Sequence, residues 1–254
     1  MTTQDLPAHS SFTVDPAAEG SAIPSYSVLR PGLTITAEIE RRGSRFLSVL
    51  RRAESAEEAQ ALVTDMRHRH HDARHHCSAW IIAPDRGLTR SSDDGEPSGT
   101  AGAPMLSALS GAQMPSGGAD LSDVVVVVIR WFGGTLLGTG GLVSAYAGAV
   151  QQALEQAAEQ HAFIPRMRMR ALRVAVPFAD VGLWQNEVRR HGAEVLEADY
   201  ASQVDAAQLT LGVPDREESL SHVRGVVASL SSGQLDLQDM GPGWQDQEYD
   251  VGRS

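Results

Sequence analysis

The chain has 254 residues, 42% of them hydrophobic and 21% charged, with a net charge of −11. That length suits one large or two ordinary domains with cores of their own; no apolar run approaches the ~20 residues that span a bilayer, and the N-terminus lacks the basic start and apolar stretch of a secretory leader. All 21 basic residues are arginine, which excludes lysine Schiff bases and Walker-type lysine chemistry, while the lone Cys77 excludes an intramolecular disulfide and suits a reducing, cytoplasmic compartment.

Residues 1–25, rich in Ser, Pro, Ala and Thr, are expected to be a flexible extension. A first domain is expected over 26–164. "LTITAEIE" and "RFLSVL" alternate apolar and polar residues around the tight "RRGS" turn and read as paired strands. "SAEEAQALVTDMRHRH" starts with an N-cap serine, Ser55, and carries acids in its first turn, so it reads as a helix. "CSAWIIA" is a strand, "SSDDGEPSGT" a turn that leads into a short helix over roughly 101–109, "VVVVVIRW" a fully buried strand and 140–160 a long helix.

A second pattern begins with "RMRMRALRVAVPF" and continues as a helix, the strands "AEVLEADY" and "AQLTLGVP", a second helix and the strand "GQLDLQDM". That order, β-α-β-β-α-β, is the split βαβ or ferredoxin-like arrangement and defines a second domain over 165–240, with a frayed polar tail at 241–254. Asp180 and Asp215 occupy N-cap positions. The fold class expected is therefore α+β in two domains.

Three blocks stand out: "RRGSRFLSVL", "DARHHCSAW" followed by "SSDDGEPSGTAGAPML", and "VVVVVIRWFGGTLLGTGGLVSAYAGAVQQAL". Together they resemble the IMPACT/YigZ family, over about 26–160 for its amino-terminal domain and 168–240 for the domain that follows in bacterial members. The resemblance implies that the first domain shares the fold of the second domain of a small-subunit ribosomal protein and of domain IV of elongation factor G. It also implies that the second domain looks like the carboxy-terminal domain of that factor. Eukaryotic relatives regulate translation initiation under amino-acid stress, so the ribosome, RNA or a translation-associated protein is the partner implied, with no cofactor and no membrane. Gly43, Ala103 and Ser144 stand where many members carry lysine or arginine, and Trp131 replaces a common tyrosine.

Four groups of residues carry candidate chemistry. Gly133, Gly134, Gly138, Gly140 and Gly141 lie between the buried strand and the long helix, where backbone N–H groups and the helix dipole favour an anion. Arg130 just before them suits a bidentate phosphate contact. The same glycines also suit a bend that packs strand on helix closely, and their spacing matches neither the P-loop nor the dinucleotide fingerprint. Asp93, Asp94 and Glu96, with Ser98 and Thr100 in the same loop, either hold a metal or act as acid and base, or simply cap a D-G turn and the helix after it.

"HRHHDARHHC" holds five of the nine histidines, but its H-D-x-x-H spacing runs from a helix end into a strand. No metal site is expected there. His75 and His76 suit a hydrogen-bonded or pocket-wall role, and Cys77 a core position. Arg41, Arg42 and Arg45 flank the first hairpin and suit RNA phosphates or a solvated face. Arg166, Arg168 and Arg170 fall on one side of a strand, read as a charged guard on a sheet edge.

The reading favoured is a binding protein associated with translation. The rival is an enzyme acting on a phosphorylated small molecule, with a glycine-rich anion site and an acidic metal-binding loop.

Overall fold

The structure, a computed structural model, describes residues 12–201 and 205–248. The strands are β1 (Thr13–Val14), β2 (Ser25–Leu29), β3 (Thr34–Arg41), β4 (Ser44–Arg52), β5 (His75–Ile82), β6 (Leu88–Ser92), β7 (Val124–Trp131), β8 (Phe163–Pro177), β9 (Glu194–Asp199), β10 (Ala206–Pro214) and β11 (Gln238–Asp246). The α-helices are α1 (Ala56–Arg69), α2 (Gly102–Ser110), α3 (Gly138–Glu159), α4 (Val181–Arg190) and α5 (Glu217–Leu230). The architecture is α+β. It divides into two compact units, one on Tyr26–Pro165 and the other on Arg166–Gln247 together with the segment ending at Ser25.

In the first unit an antiparallel sheet has the order β3-β4-β7-β5-β6. Strand β7 lies at its centre because each valine has a core to enter on either face. Val124, Val126 and Val128 pack with Ala145, Tyr146 and Ala149 of α3 and Met105 of α2. Val125, Val127 and Ile129 pack with Leu62, Val63 and Met66 of α1. Helices on both faces make the apolar run continuous in a strand whose neighbours are antiparallel. The β3–β4 hairpin turns through Arg42 and Gly43, both at positive φ (48° and 78°), as two-residue hairpin loops require. Helix α1 starts where Ser55 accepts the N–H of Glu58 at 3.2 Å.

The second unit runs β8, α4, β9, β10, α5, β11, with the antiparallel strand order β1-β11-β8-β10-β9. Its core joins Leu172, Val174 and Val176 of β8 to Trp184 and Val188 of α4 and Val223 and Val227 of α5.

Several expectations are corrected. Residues 12–25 are not a loose extension: Thr13 and Val14 pair with Trp244 and Gly243 of β11, and Glu19 pairs with Arg170 at 2.9 Å. Residues 1–11 of that expected extension, and 249–254 of the expected tail, lie outside the described residues. The last strand begins at Gln238 and runs to Asp246, so most of the described part of the tail is sheet. Both errors have one cause: β11 pairs with β8, some 65–80 positions before it, and with β1, more than 200 positions before it, and local composition carries no trace of either pairing.

Asp215 is no N-cap; that position falls to Arg216, and Asp215 instead receives Arg168 at 3.1 Å and Arg170 at 2.8 Å. Nor do Arg166, Arg168 and Arg170 guard an edge. Strand β8 is flanked by β11 and β10, and carboxylates including Asp239 and Asp246 balance the stripe. Strands β2 and β6, which the sequence pattern left unassigned, complete the list; β6 is largely exposed and lacks the alternation that marks a half-buried strand.

Candidate site at the start of α3

Strand β7 ends by carrying Arg130 out of the sheet centre into a buried polar knot. Arg130 is only 5% exposed. Its Nη1 donates to Glu96 Oε1 at 2.6 Å and its Nη2 to Ser44 Oγ at 3.2 Å. The guanidinium carbon lies 5.4 Å from the Phe46 ring centre and 5.7 Å from that of Phe132. Tyr146, on the inward face of α3, donates its hydroxyl to the same Glu96 oxygen at 2.7 Å. Burial, reinforced by Cys77 and Glu96, pushes the Tyr146 hydroxyl far above its ordinary range. Burial likewise pushes the Cys77 thiol up to about 12. Arg130 therefore does not stand free to grip a phosphate; its charge is balanced inside the protein.

The loop between β6 and α2 distributes its three acids to three different tasks. Asp93 accepts the N–H groups of Gly99 (2.8 Å), Ala101 (3.0 Å) and Gly102 (2.8 Å), and so ties down the start of α2. Partial burial opposes its ionisation, yet those amides prevail and hold its carboxyl below the usual carboxylate range. Asp94, at φ 43°, takes Arg67 and the N–H of His76, each at 2.6 Å. Glu96 faces Arg130 and Tyr146. Among the described residues no group of three or more acids, histidines or cysteines converges to hold a metal ion, and the loop's acids cap backbone and side-chain groups instead. Thr100 bonds back to Pro97 at 2.6 Å as a turn support, and Ser98 is exposed.

The histidines separate as well. His75 Nδ1 sits 2.9 Å from the Asp94 carbonyl oxygen, and its Nε2 lies 4.0 Å from Glu96 Oε1. His76 is buried against the His70 carbonyl (3.0 Å), and desolvation lowers its pKa. Asp72 accepts the Trp131 indole N–H at 2.8 Å, so the H-D-x-x-H stretch is used in packing.

The glycines have distinct roles. A Cβ on Gly133 would fall 1.8 Å from the Gly43 carbonyl carbon, which makes this a backbone-on-backbone contact, and the Gly133 N–H donates to Ser44 Oγ at 3.2 Å. Gly134 and Gly138 take positive φ (85° and 72°), Gly140 faces open space, and Gly141 abuts Leu137. Helix α3 starts after Leu137 with no side-chain cap. Beside that start is a pocket of about 430 Å3, lined by the polar Arg74, His75, Glu96, Arg130 and Thr139, by Gly138, and by the apolar Pro97, Phe132, Leu136, Leu137 and Leu142. Four of the sequence candidates, Arg130, Glu96, His75 and Gly138, thus share one cavity. Asp93 and Asp94 do not line it.

Arg41, Arg42 and Arg45 stand outside the pocket. Arg41 and Arg42 are exposed on the hairpin turn, while Arg45 lies 3.8 Å over the Trp131 ring centre and 3.8 Å from Glu38. The residues that sequence reasoning missed are Ser44, Tyr146, Phe132, Leu136 and Arg74. Tyr146 had a usable signal, four residues after Leu142 on the apolar stripe of a helix. Ser44 had none, since its partner Arg130 is 86 positions away.

The Impact N-terminal domain family matches residues 42–154. An IMPACT family member of Haemophilus influenzae is 34% identical to this chain over 212 residues, 83% of this chain and 95% of that one. The chain belongs to the IMPACT family. IMPACT family member YigZ of Escherichia coli is 46% identical over 136 residues, which are 53% of this chain and 63% of that relative. IMPACT family member YvyE of Bacillus subtilis is 33% identical over 197 residues, 78% of each chain. A crystal structure described as that of a hypothetical protein is 32% identical, with a TM-score of 0.54 over 84% of this chain and 96% of that one. The IMPACT match contains every residue of the Arg130 knot, from Ser44 to Tyr146. Ala103 and Ser144 are exposed, and the exposed Gly43 packs its backbone against Gly133.

Proposed function

We propose that this IMPACT-family chain is a cytoplasmic binding protein of the translation apparatus that engages RNA at the face formed by the β3–β4 turn and the start of α3. The observation that carries the reading is the Gly43–Gly133 contact. It holds the exposed Arg41 and Arg42 beside the loop bearing Phe132, which is 47% exposed, and beside a helix start without a side-chain cap. Cationic side chains for phosphates, an open aromatic face for a base and helix N–H groups for an anion are what a single-stranded RNA requires. The antiparallel β-α-β-β-α-β unit supports assignment of a ferredoxin-like fold to the second domain. We also assign the first unit to the fold of elongation factor G domain IV, in keeping with a ribosomal partner.

Cosedimentation with ribosomes across a salt series tests this. Binding is expected at low salt, to weaken as salt rises, and to weaken further in an Arg41→Gln/Arg42→Asn variant, where asparagine tolerates the left-handed turn position. A chain that stays in the supernatant at low salt sinks the reading. A second reading, catalysis on a phosphorylated small molecule, draws on the convergence of His75, Glu96 and Arg130 in one pocket; turnover of phosphorylated metabolites lost in His75→Ala would favour it.

A further inference from the structure

We propose that the pocket at the start of α3 is a site for one nucleoside phosphate, with its base on Phe132, its N–H edge at Glu96 and His75, and its phosphate at the first turn of α3. This deepens the RNA reading, on which it rests for the source of the nucleotide.

One acceptor that lines the pocket is unused. Glu96 places Oε1 between Arg130 and Tyr146, while Oε2 accepts no hydrogen bond among the described residues. The Asp94 carbonyl can only accept, so His75 Nδ1 is the donor in that contact. In the neutral ring Nε2 is then a lone-pair acceptor. It lies 4.0 Å from Glu96 Oε1. A ligand N–H group satisfies Glu96 Oε2, and the neutral His75 ring offers a second acceptor beside it. Groups that favour an anion line the same pocket. Arg74 has no ion-pair partner among the described residues, and α3, 22 residues long, starts with no side-chain cap. Both favour an anion. The rest of the lining is mainly apolar and includes Phe132 and Leu136, the latter 82% exposed.

N–H donors for Glu96, a flat ring for Phe132 and an anion for Arg74 and the helix start together describe a nucleotide. Guanine fits best, because its adjacent imino and amino N–H groups match a carboxylate. The volume of about 430 Å3 lies in the range of small-ligand sites, roughly 300–1,000 Å3.

Isothermal titration of the full chain with GMP tests the assignment, with inorganic phosphate, IMP (which lacks the amino group) and a short guanosine-containing single-stranded RNA as comparators. The expected result is one GMP per chain, bound more tightly than IMP, with affinity reduced roughly tenfold or more in Phe132→Ala and lowered in Arg74→Ala. Both side chains are exposed, so these variants are expected to fold; Glu96→Gln, checked by circular dichroism, is expected to lose the preference for GMP over IMP. The oligonucleotide displacing GMP identifies an RNA nucleotide as the ligand, whereas GMP binding without displacement identifies the free nucleotide. Absence of binding for both GMP and the oligonucleotide, or binding indifferent to both Phe132→Ala and Arg74→Ala, overturns the site. Ribosome association that survives such a failure would leave the RNA reading standing, and GMP binding without ribosome association would leave the pocket standing alone.

Discussion

Gly133 and Gly43 meet with no side chain between them: a Cβ on Gly133 would lie 1.8 Å from the Gly43 carbonyl carbon and 2.3 Å from the Ser44 nitrogen. Backbone on both sides leaves nothing flexible to yield, so Gly133→Ala is expected to destabilise the first unit by about 3 kcal/mol or more, beyond ordinary overpacking. Gly134→Ala is the control. Its φ is 85° but its surroundings are open, so only the left-handed backbone penalty of about 1–2 kcal/mol is expected. Urea titration of the two variants separates them, and equal losses would refute the contact.

Arg130 and Glu96 form a buried pair with Ser44 and Tyr146 as further partners. Removing one charge leaves the other uncompensated, so Arg130→Met is expected to cost about 3–5 kcal/mol. Adding Glu96→Leu in the same chain should recover much of that loss, since an apolar pair strands no charge. A double variant as unstable as the sum of the singles would show that the two residues do not act together.

Cys77 is fully buried with its thiol pushed up to about 12 by desolvation. The thiolate is the reactive form, so the native protein at pH 8 should resist iodoacetamide, while the urea-unfolded chain, with a thiol near its ordinary value of about 8.5, should alkylate readily. Mass spectrometry of the two samples checks this. Rapid native labelling would place the thiol outside the core.

Asp93 and His76 both destabilise the fold in acid. The folded pKa of each is lowered, so the unfolded chain takes up protons first and stability present at neutral pH is lost as pH falls. For His76 the loss begins below about 6.5; for Asp93 it begins below about 3.9 and continues through its lower folded value. Melting temperatures from pH 7 to pH 3 should therefore decline in two stages. Asp93→Asn should be weaker at pH 7, by about 1 kcal/mol as for a lost helix cap, and should flatten the more acidic stage. A variant that keeps the full acidic decline would assign that stage to other carboxylates.

Much of this protein could be read from the order of its residues, and what could be read was local. The central strand followed from five consecutive valines and an isoleucine, α1 from Ser55 and the periodicity after it, and the β-α-β-β-α-β order from the spacing of apolar runs. Each of these signals lies within a dozen or so residues and reflects backbone preference and the need to bury one face. The IMPACT blocks were legible for the same reason, being contiguous.

The candidate site was legible only as an inventory. Arg130, Glu96, His75 and Gly138 were named from their neighbourhoods, but only the tertiary structure decided that they share a pocket with Phe132, and that Arg130 is neutralised by Glu96 and held by Ser44. It decided too that Asp93 and Asp94 are structural, and that Arg166, Arg168 and Arg170 are paired within a central strand. The physical reason is common to all of them. A charge or an acceptor is defined by what satisfies it, and here the partner lies 34, 86 or 45 positions away, as in Arg130–Glu96, Arg130–Ser44 and Arg170–Asp215. Local sequence determines which element a residue joins; the packing of those elements determines whether its charge is free to meet a ligand.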